Sequence, residues 1–271
     1  MSQRKEIEAR LALFEELSGI MSAMRSFALA ELRRVSKREA AQQRVVESLQ
    51  TALNDVSNGL PTAIVKPTSR TDIWLIFGSV RGFCGSFNED LVRYWKSKID
   101  PQSELIVVGE RLHDMIESSA PIQCVNGADG SLDAPAVIDR ILNAISALGT
   151  ECNGTFSLKA CLRDEQGVRD QHLWPLPQAS ASSYSFPPVT YASASDVATG
   201  VAEHYLFHSL LALLLSAIRV ENHMRLMQME SALRHLERGG EELQRRRNRL
   251  RQEEIVEEIE LMVGSRHGSV I

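Results

Sequence analysis

Leu226-Met227-Gln228-Met229-Glu230-Ser231-Ala232-Leu233-Arg234-His235-Leu236-Glu237-Arg238-Gly239-Gly240-Glu241-Glu242-Leu243-Gln244-Arg245-Arg246-Arg247-Asn248-Arg249-Leu250 is the stretch whose reading decides the fold. Leu226, Met229, Leu233, Leu236, Leu243 and Leu250 follow at intervals of three, four, three, seven and seven. Such a narrow stripe is the seam of a coiled coil, with charged and polar residues filling most other positions. Gly239-Gly240 is the expected weak point, because glycine costs helix stability. No proline occurs from Ser195 to Gly264, and Asp196 is placed to cap a helix start. Unbroken, that helix would measure on the order of 100 Å. Leu210 to Ile218 is apolar apart from Ser216; it is expected to be buried and falls short of the ~20 residues of a membrane span.

The other end of the chain carries a matching pattern. Ile7, Phe14, Met21, Ala28, Val35 and Leu49 recur at heptad spacing, interrupted by Gln42, while Leu11, Leu32, Val46 and Leu53 fill the neighbouring row. The spacing predicts a helix over residues 3–57, roughly 80 Å long if continuous. Asn58-Gly59-Leu60-Pro61 is its expected stop.

The middle of the chain has a different character. Ile73–Phe77 and Leu105–Val108 read as short buried strands, and Ile122–Val125 as a weaker third. Residues 88–98 and 134–148 read as helices between them. Residues 155–162 alternate and are expected to form an edge strand; residues 178–188, rich in Ser, Ala and Pro, read as loop. The expected fold class is α+β. An antiparallel coiled coil of the terminal helices (1–58 and 195–265) carries an inserted α/β domain with a parallel-rich sheet (70–190).

Composition narrows the function. The 271 residues carry a net charge of −5, which disfavours a general nucleic-acid binder. Cys84, Cys124, Cys152 and Cys161 show no C-x-x-C spacing, so neither a zinc site nor any other metal site is expected of them. Residues 1–6 lead straight into a charged amphipathic pattern, with no apolar signal core and no arginine-rich leader.

Gly78-Ser79-Val80-Arg81-Gly82-Phe83-Cys84-Gly85 follows the first strand and precedes a helix. It matches neither G-x-G-x-x-G nor the phosphate-binding loop, so it reads as a tight connection needing positive φ and close packing. No cofactor is expected there. Cys84 could be activated at a helix N-terminus, yet no His or acid follows nearby, and a small buried cysteine is the commoner case. His204 and His208 share a helix face without the Glu of H-E-x-x-H, which favours satisfied surface groups over a metal pair. Arg245, Arg246, Arg247, Arg249 and Arg251 precede Glu253, Glu254, Glu257, Glu258 and Glu260. Two readings stand: a solvated helix with (i, i+4) pairing, or a helix enclosed by a partner surface.

Three separated stretches together resemble the gamma subunit of rotary F-type ATP synthases. Ile20-Met21-Ser22-Ala23-Met24-Arg25 through Ala30-Glu31-Leu32-Arg33-Arg34 is similar to the family's I-T-K-A-M-K…L-R-R helix. Arg81-Gly82-Phe83-Cys84-Gly85-Ser86-Phe87-Asn88 is similar to its R-G-L-C-G-x-[FL]-N loop. Glu221–Leu226, Asn248–Gln252 and residues 259–265 resemble its S-E-x-x-A-R-M…N-x-x-R-Q…E-I-V-S-G pattern. The resemblance implies a rotor shaft inside an alpha/beta catalytic hexamer, with chemistry in the partners and none in this chain. It implies that Arg251 and Gln252 meet the ring's catch loops and that Met24 and Arg225 face catalytic subunits. Arg81, Gly82, Cys84, Gly85 and Asn88 would belong to the inserted domain, near the foot that meets the epsilon subunit and the membrane c-ring.

Ser22, Val80, Val220 and Tyr191-Ala192-Ser193 depart from the family's usual Lys, Asp, Ser and acidic residue, so the resemblance implies a divergent branch, an alternative or sodium-coupled type. The absence of a cysteine-bearing insert and of a transit peptide implies a bacterial member, peripheral at the cytoplasmic face of the inner membrane. Two rivals stand beside this: a coiled-coil adaptor that dimerises through its seam, and an α/β enzyme using Cys84 or the glycine loop.

Overall fold

The computed structural model describes residues 3–56, 71–98, 100, 103–116, 122–152, 156–176 and 189–267. The expected stop at Asn58–Pro61 and the expected loop at 178–188 lie outside the described residues. The chain is helix-rich, with one mixed, parallel-dominated sheet. It divides into two compact units: Met1–Phe27 with Leu226–Ile271, and Ala28–Arg225. The first helix, α1 (Gln3–Asp55), and the last, α5 (Ala194–His267), each contribute to both.

In the first unit the two helices run antiparallel. Arg4 pairs with Glu254 at 3.1 Å, and a Cβ on Gly239 would lie 2.7 Å from the Phe14 ring. Ile7 is buried and Leu11, Phe14 and Met21 are half-buried on the α1 side; Met229 is buried and Leu233, Leu236, Leu243 and Leu250 are half-buried on the α5 side. The helix passes through Gly239-Gly240 without a break. The expected weak point is therefore a contact point, because the missing side chain at Gly239 admits an aromatic ring.

The second unit is built on five strands: β1 (Thr71–Phe77), β2 (Glu104–Val108), β3 (Ile122–Val125), β4 (Phe156–Arg163) and β5 (Val168–Trp174). Their order is β3-β2-β1-β4-β5, parallel except that β5 runs antiparallel to β4. The connections include α2 (Phe87–Lys98), the short α3 (Glu110–His113) and α4 (Ala134–Glu151). Strand residues alternate between the two faces. Ile73, Leu75 and Phe77 pack with Val137, Ile138 and Ile141 of α4, with Leu210 and Leu214 of α5 and with Val35 of α1. Trp74 and Ile76 pack with Phe87 and Leu91 of α2, Leu112 of α3 and Val220 of α5. Both faces are covered, as parallel strands require.

Two expectations change here. The strand expected at the edge, β4, lies inside the sheet, because β5 pairs along its free side. β5 went unread because it exposes Arg169, Asp170 and His172 and buries Leu173 alone. The start of α5 is capped by Ser193, whose hydroxyl accepts the Asp196 N–H at 3.1 Å. Asp196 therefore sits in the first turn, where an acid favours the helix dipole, and does not cap.

Within the second unit α1 and α5 also run antiparallel. Glu39 meets Arg219 at 2.6 Å, and Leu53 packs with Ala202 and Tyr205. The Gln42 amide N–H group lies 2.7 Å from His208 Nδ1 and donates to the His208 carbonyl at 3.0 Å. An amide nitrogen only donates, so Nδ1 accepts, and His208 is a tethered ring. Burial, aided by the charge of His204, pulls the His208 pKa down. One 18-residue window of α5 is apolar enough to cross a membrane by length and composition, and 56% of it is buried inside the protein. Leu210, Leu213, Leu214 and Ile218 spend that apolar character on the sheet core.

Candidate functional site

The glycine loop joins β1 to α2. A Cβ at Gly78 would lie 2.2 Å from Leu112 Cβ, so only glycine lets α3 pack there. Phe83 and Gly85 adopt φ of 62° and 61°, the left-handed turn that the sequence anticipates. Asn88 ties the loop to α2: its carbonyl oxygen accepts the Ser79 N–H at 3.0 Å, and its amide donates to the Ser79 hydroxyl at 2.8 Å. The Cys84 thiol donates to the same hydroxyl at 3.5 Å. Burial pushes the Cys84 thiol pKa up, which suppresses thiolate. This cysteine is a packed hydrogen-bond donor without the activation a nucleophile needs.

Arg225 of α5 closes the loop from the other side. Its Nε donates to the Gly82 carbonyl at 3.1 Å and its Nη2 to the Arg81 carbonyl at 3.2 Å. Nη1 donates to Asn222 Oδ1 at 3.0 Å, and the guanidinium pairs with Glu221 one helical turn earlier. Arg225, Glu221 and Asn222 are 7%, 6% and 7% exposed. Burial pushes the Glu221 carboxyl pKa up, against the opposing charge of Arg225. A planar guanidinium serves two carbonyls and a carboxylate together, a task for which an ammonium lacks the geometry.

Of the loop motif, Arg81 and Gly82 thus meet Arg225 through their carbonyls, while Cys84 and Asn88 join the same polar knot through Ser79 and the Arg81 carbonyl; Gly85 supplies only the turn. The resemblance had Arg225 facing a partner; here its guanidinium turns inward and is committed to its own chain. Ser79, Glu221 and Asn222 complete the knot and were not singled out as site residues. The available signal was a polar triplet spaced (i, i+1, i+4), Glu221, Asn222 and Arg225, shortly after the apolar run 210–218.

The other expected contact residues belong to the first unit. Met24 is half-buried on α1; Arg251 and Gln252 are exposed on α5. Leu13, Ile20 and Phe27 are 50%, 48% and 73% exposed. Seven apart, they share one helix face, which Met24 joins at three and four residues' distance. On α5, Ile255, Val256, Ile259, Leu261, Met262 and Val263 are exposed as well. Of the five clustered arginines, Arg245, Arg246, Arg249 and Arg251 are exposed and Arg247 is half-buried. Arg245 pairs with Glu241 at 3.3 Å.

Long antiparallel helices with an inserted, parallel-dominated five-stranded sheet define a helix-rich α+β protein. The ATP synthase family profile matches residues 3–266. The ATP synthase gamma chain of Desulfitobacterium hafniense is 25% identical over 283 residues, covering 97% of this chain and 98% of that one. The gamma chain of Malacoplasma penetrans is 27% identical over 121 residues, 44% of this chain and 42% of that one. Among solved structures, a chain of the Euglena gracilis mitochondrial ATP synthase (OSCP/F1/c-ring, rotational state 3) superposes with a TM-score of 0.63 at 16% identity. That match covers 98% of this chain and 94% of the other. The chain belongs to the gamma-chain family of ATP synthases.

Proposed function

We propose that this chain is the central rotor shaft of an F-type ATP synthase or ATPase, coupling transmembrane ion flow to ATP synthesis or hydrolysis. The observation that carries the reading is the exposed apolar surface of the first unit. Large apolar side chains at heptad spacing on α1, and a second set on α5 beyond Arg251, make a surface that a protein partner must cover. An alpha/beta catalytic hexamer is the partner this reading assigns to that surface, with Met24, Arg251 and Gln252 as its contacts. Catalysis resides in that hexamer, and this chain transmits torque. Arg225 acts one step back, holding the loop of the inserted domain to the shaft helix, while Arg81, Gly82, Gly85 and Asn88 lead toward the foot. There the epsilon subunit and the membrane c-ring are the partners, so the chain sits peripherally on the cytoplasmic face of a bacterial inner membrane.

Co-purification of a tagged full chain from its native cells tests this. The expected result is recovery with a catalytic hexamer and an ATPase activity lost on truncation after Arg251. A homodimer recovered without ATPase would discard the shaft reading in favour of an adaptor.

A further inference from the structure

Gln42 stands where the heptad row of α1 calls for an apolar residue, and its side chain accounts for the exception. Both amide hydrogens go to one residue of α5. One points at His208 Nδ1, 2.7 Å from the amide nitrogen, and the other at the His208 carbonyl, 3.0 Å away. That carbonyl settles which way the amide faces, because the flipped amide would set its own oxygen against another oxygen. Nδ1 therefore accepts, and the ring is the neutral tautomer with its proton on Nε2.

A proton on Nδ1 undoes this arrangement. The Gln42 donor would meet a second donor, and turning the amide to offer its oxygen would forfeit the bond to the carbonyl. The imidazolium keeps at most one of the two bonds. His204, one turn earlier, stacks on His208 with ring centroids 6.4 Å apart, so a proton on each ring sets two cations on one helix face. Among the described residues no carboxylate offsets that charge. From α1, Arg38 is turned to the Ser131 carbonyl at 2.8 Å and Glu39 to Arg219 at 2.6 Å, while Arg44 and Glu47 are exposed. Glu203 of α5 is exposed too. The start of α4 brings Pro135 close to Gln42, with Asp133 and Asp139 exposed on either side of it. Burial, and then the charge of His204, pull the His208 pKa below the ordinary histidine value.

We propose that Gln42 and His208 form a proton-sensitive latch between α1 and α5, closed on the neutral ring and released when the ring takes up a proton. The fold binds the neutral form, so the latch contributes above the ordinary histidine value and is lost as pH falls through the folded one. It lies wholly within the second unit and is independent of the shaft reading.

The test uses the full chain with isotope-labelled histidine. Long-range proton–nitrogen spectra at neutral pH should show His208 as the Nε2–H tautomer, a measurement that needs no variant. The pH is then lowered through the ring's own midpoint, read from the same spectra. Amide-exchange protection over residues 40–46 of α1, corrected for the intrinsic rate, should fall by about two- to tenfold, the worth of one lost hydrogen bond. Gln42→Leu should abolish that dependence at the same amides. An Nδ1–H tautomer, or a ring that stays neutral until the chain unfolds, overturns the proposal. So does protection that is unchanged across the midpoint, or an equal acid loss in Gln42→Leu.

Discussion

Replacing Arg225 with Ala tests the knot at its centre. The Arg225 side chain is 8% exposed and that of its partner Glu221 7%, so truncation leaves a buried carboxylate without its cation. That loss typically costs about 3–5 kcal/mol. The carbonyls of Arg81 and Gly82 also lose a donor, at about 1–3 kcal/mol each if they stay dry. Arg81 is exposed and Gly82 half-exposed, so water reaches that side of the loop and the charge decides the outcome. Glu221 can answer by binding a proton, since burial already raises its pKa.

The expected loss for Arg225→Ala is therefore about 3–5 kcal/mol near neutral pH, shrinking in acid. The sign follows from linkage: a group whose pKa is raised on folding contributes fully below its unfolded value and loses that contribution as pH rises through the folded one. Urea unfolding followed by tryptophan fluorescence is the assay, because Trp74, Trp95 and Trp174 all lie in the second unit. The companion is the double variant Glu221→Leu with Arg225→Met, which removes both charges and should recover most of the loss. A loss under about 1 kcal/mol for the single variant, or simple additivity in the double, would refute the reasoning.

Three further outcomes are expected. Gly240→Ala should raise the stability of the paired helices by about 0.5–1 kcal/mol, since a Cβ there meets nothing within 4 Å. Gly239→Ala should give a net loss, because its Cβ would lie 2.7 Å from the Phe14 ring; thermal melts by circular dichroism compare the two. Burial pushes the Asp72 carboxyl up, but Lys159 and Ser157 outweigh it and hold the pKa below its ordinary value. The stability it supplies is present above that ordinary value and lost as pH falls through the folded pKa, so Asp72→Asn should flatten the acid limb of a stability–pH curve. At neutral pH the same change should cost no more than about 1 kcal/mol, the pair being partly exposed. In thiol-labelling at pH 8, exposed Cys124 should react first. Buried Cys161, its pKa pushed up to about 12 by burial and then Asp170, should react only on unfolding.

What the sequence disclosed follows the range over which each feature is written. The heptads of α1 and the leucine seam of α5 are local periodicities, so both helices were legible residue by residue. β1 and β2 were legible as short apolar runs because both their faces are buried. β5 carries its sheet position in backbone hydrogen bonds and fully buries only Leu173, which leaves little trace in composition. Misreading β4 as an edge follows from that one omission. The knot is harder still. Arg225 and Gly82 stand 143 positions apart, and only the fold makes them neighbours. The resemblance supplied the motif residues, yet not the inward turn of Arg225, which depends on where α5 crosses the loop.

The two margins of the sheet bear on how the chain behaves before it has partners. An open strand is a template for another chain, and flat apolar margins recruit copies into aggregates. Here the outer margin on one side is β5, lined with Arg169, Asp170, Gln171 and His172, and on the other β3, four residues long. Neither offers an incoming strand a long or greasy track. A newly made copy can therefore wait for assembly with its sheet closed to its siblings, leaving the apolar faces of the paired helices as the surface that still seeks cover.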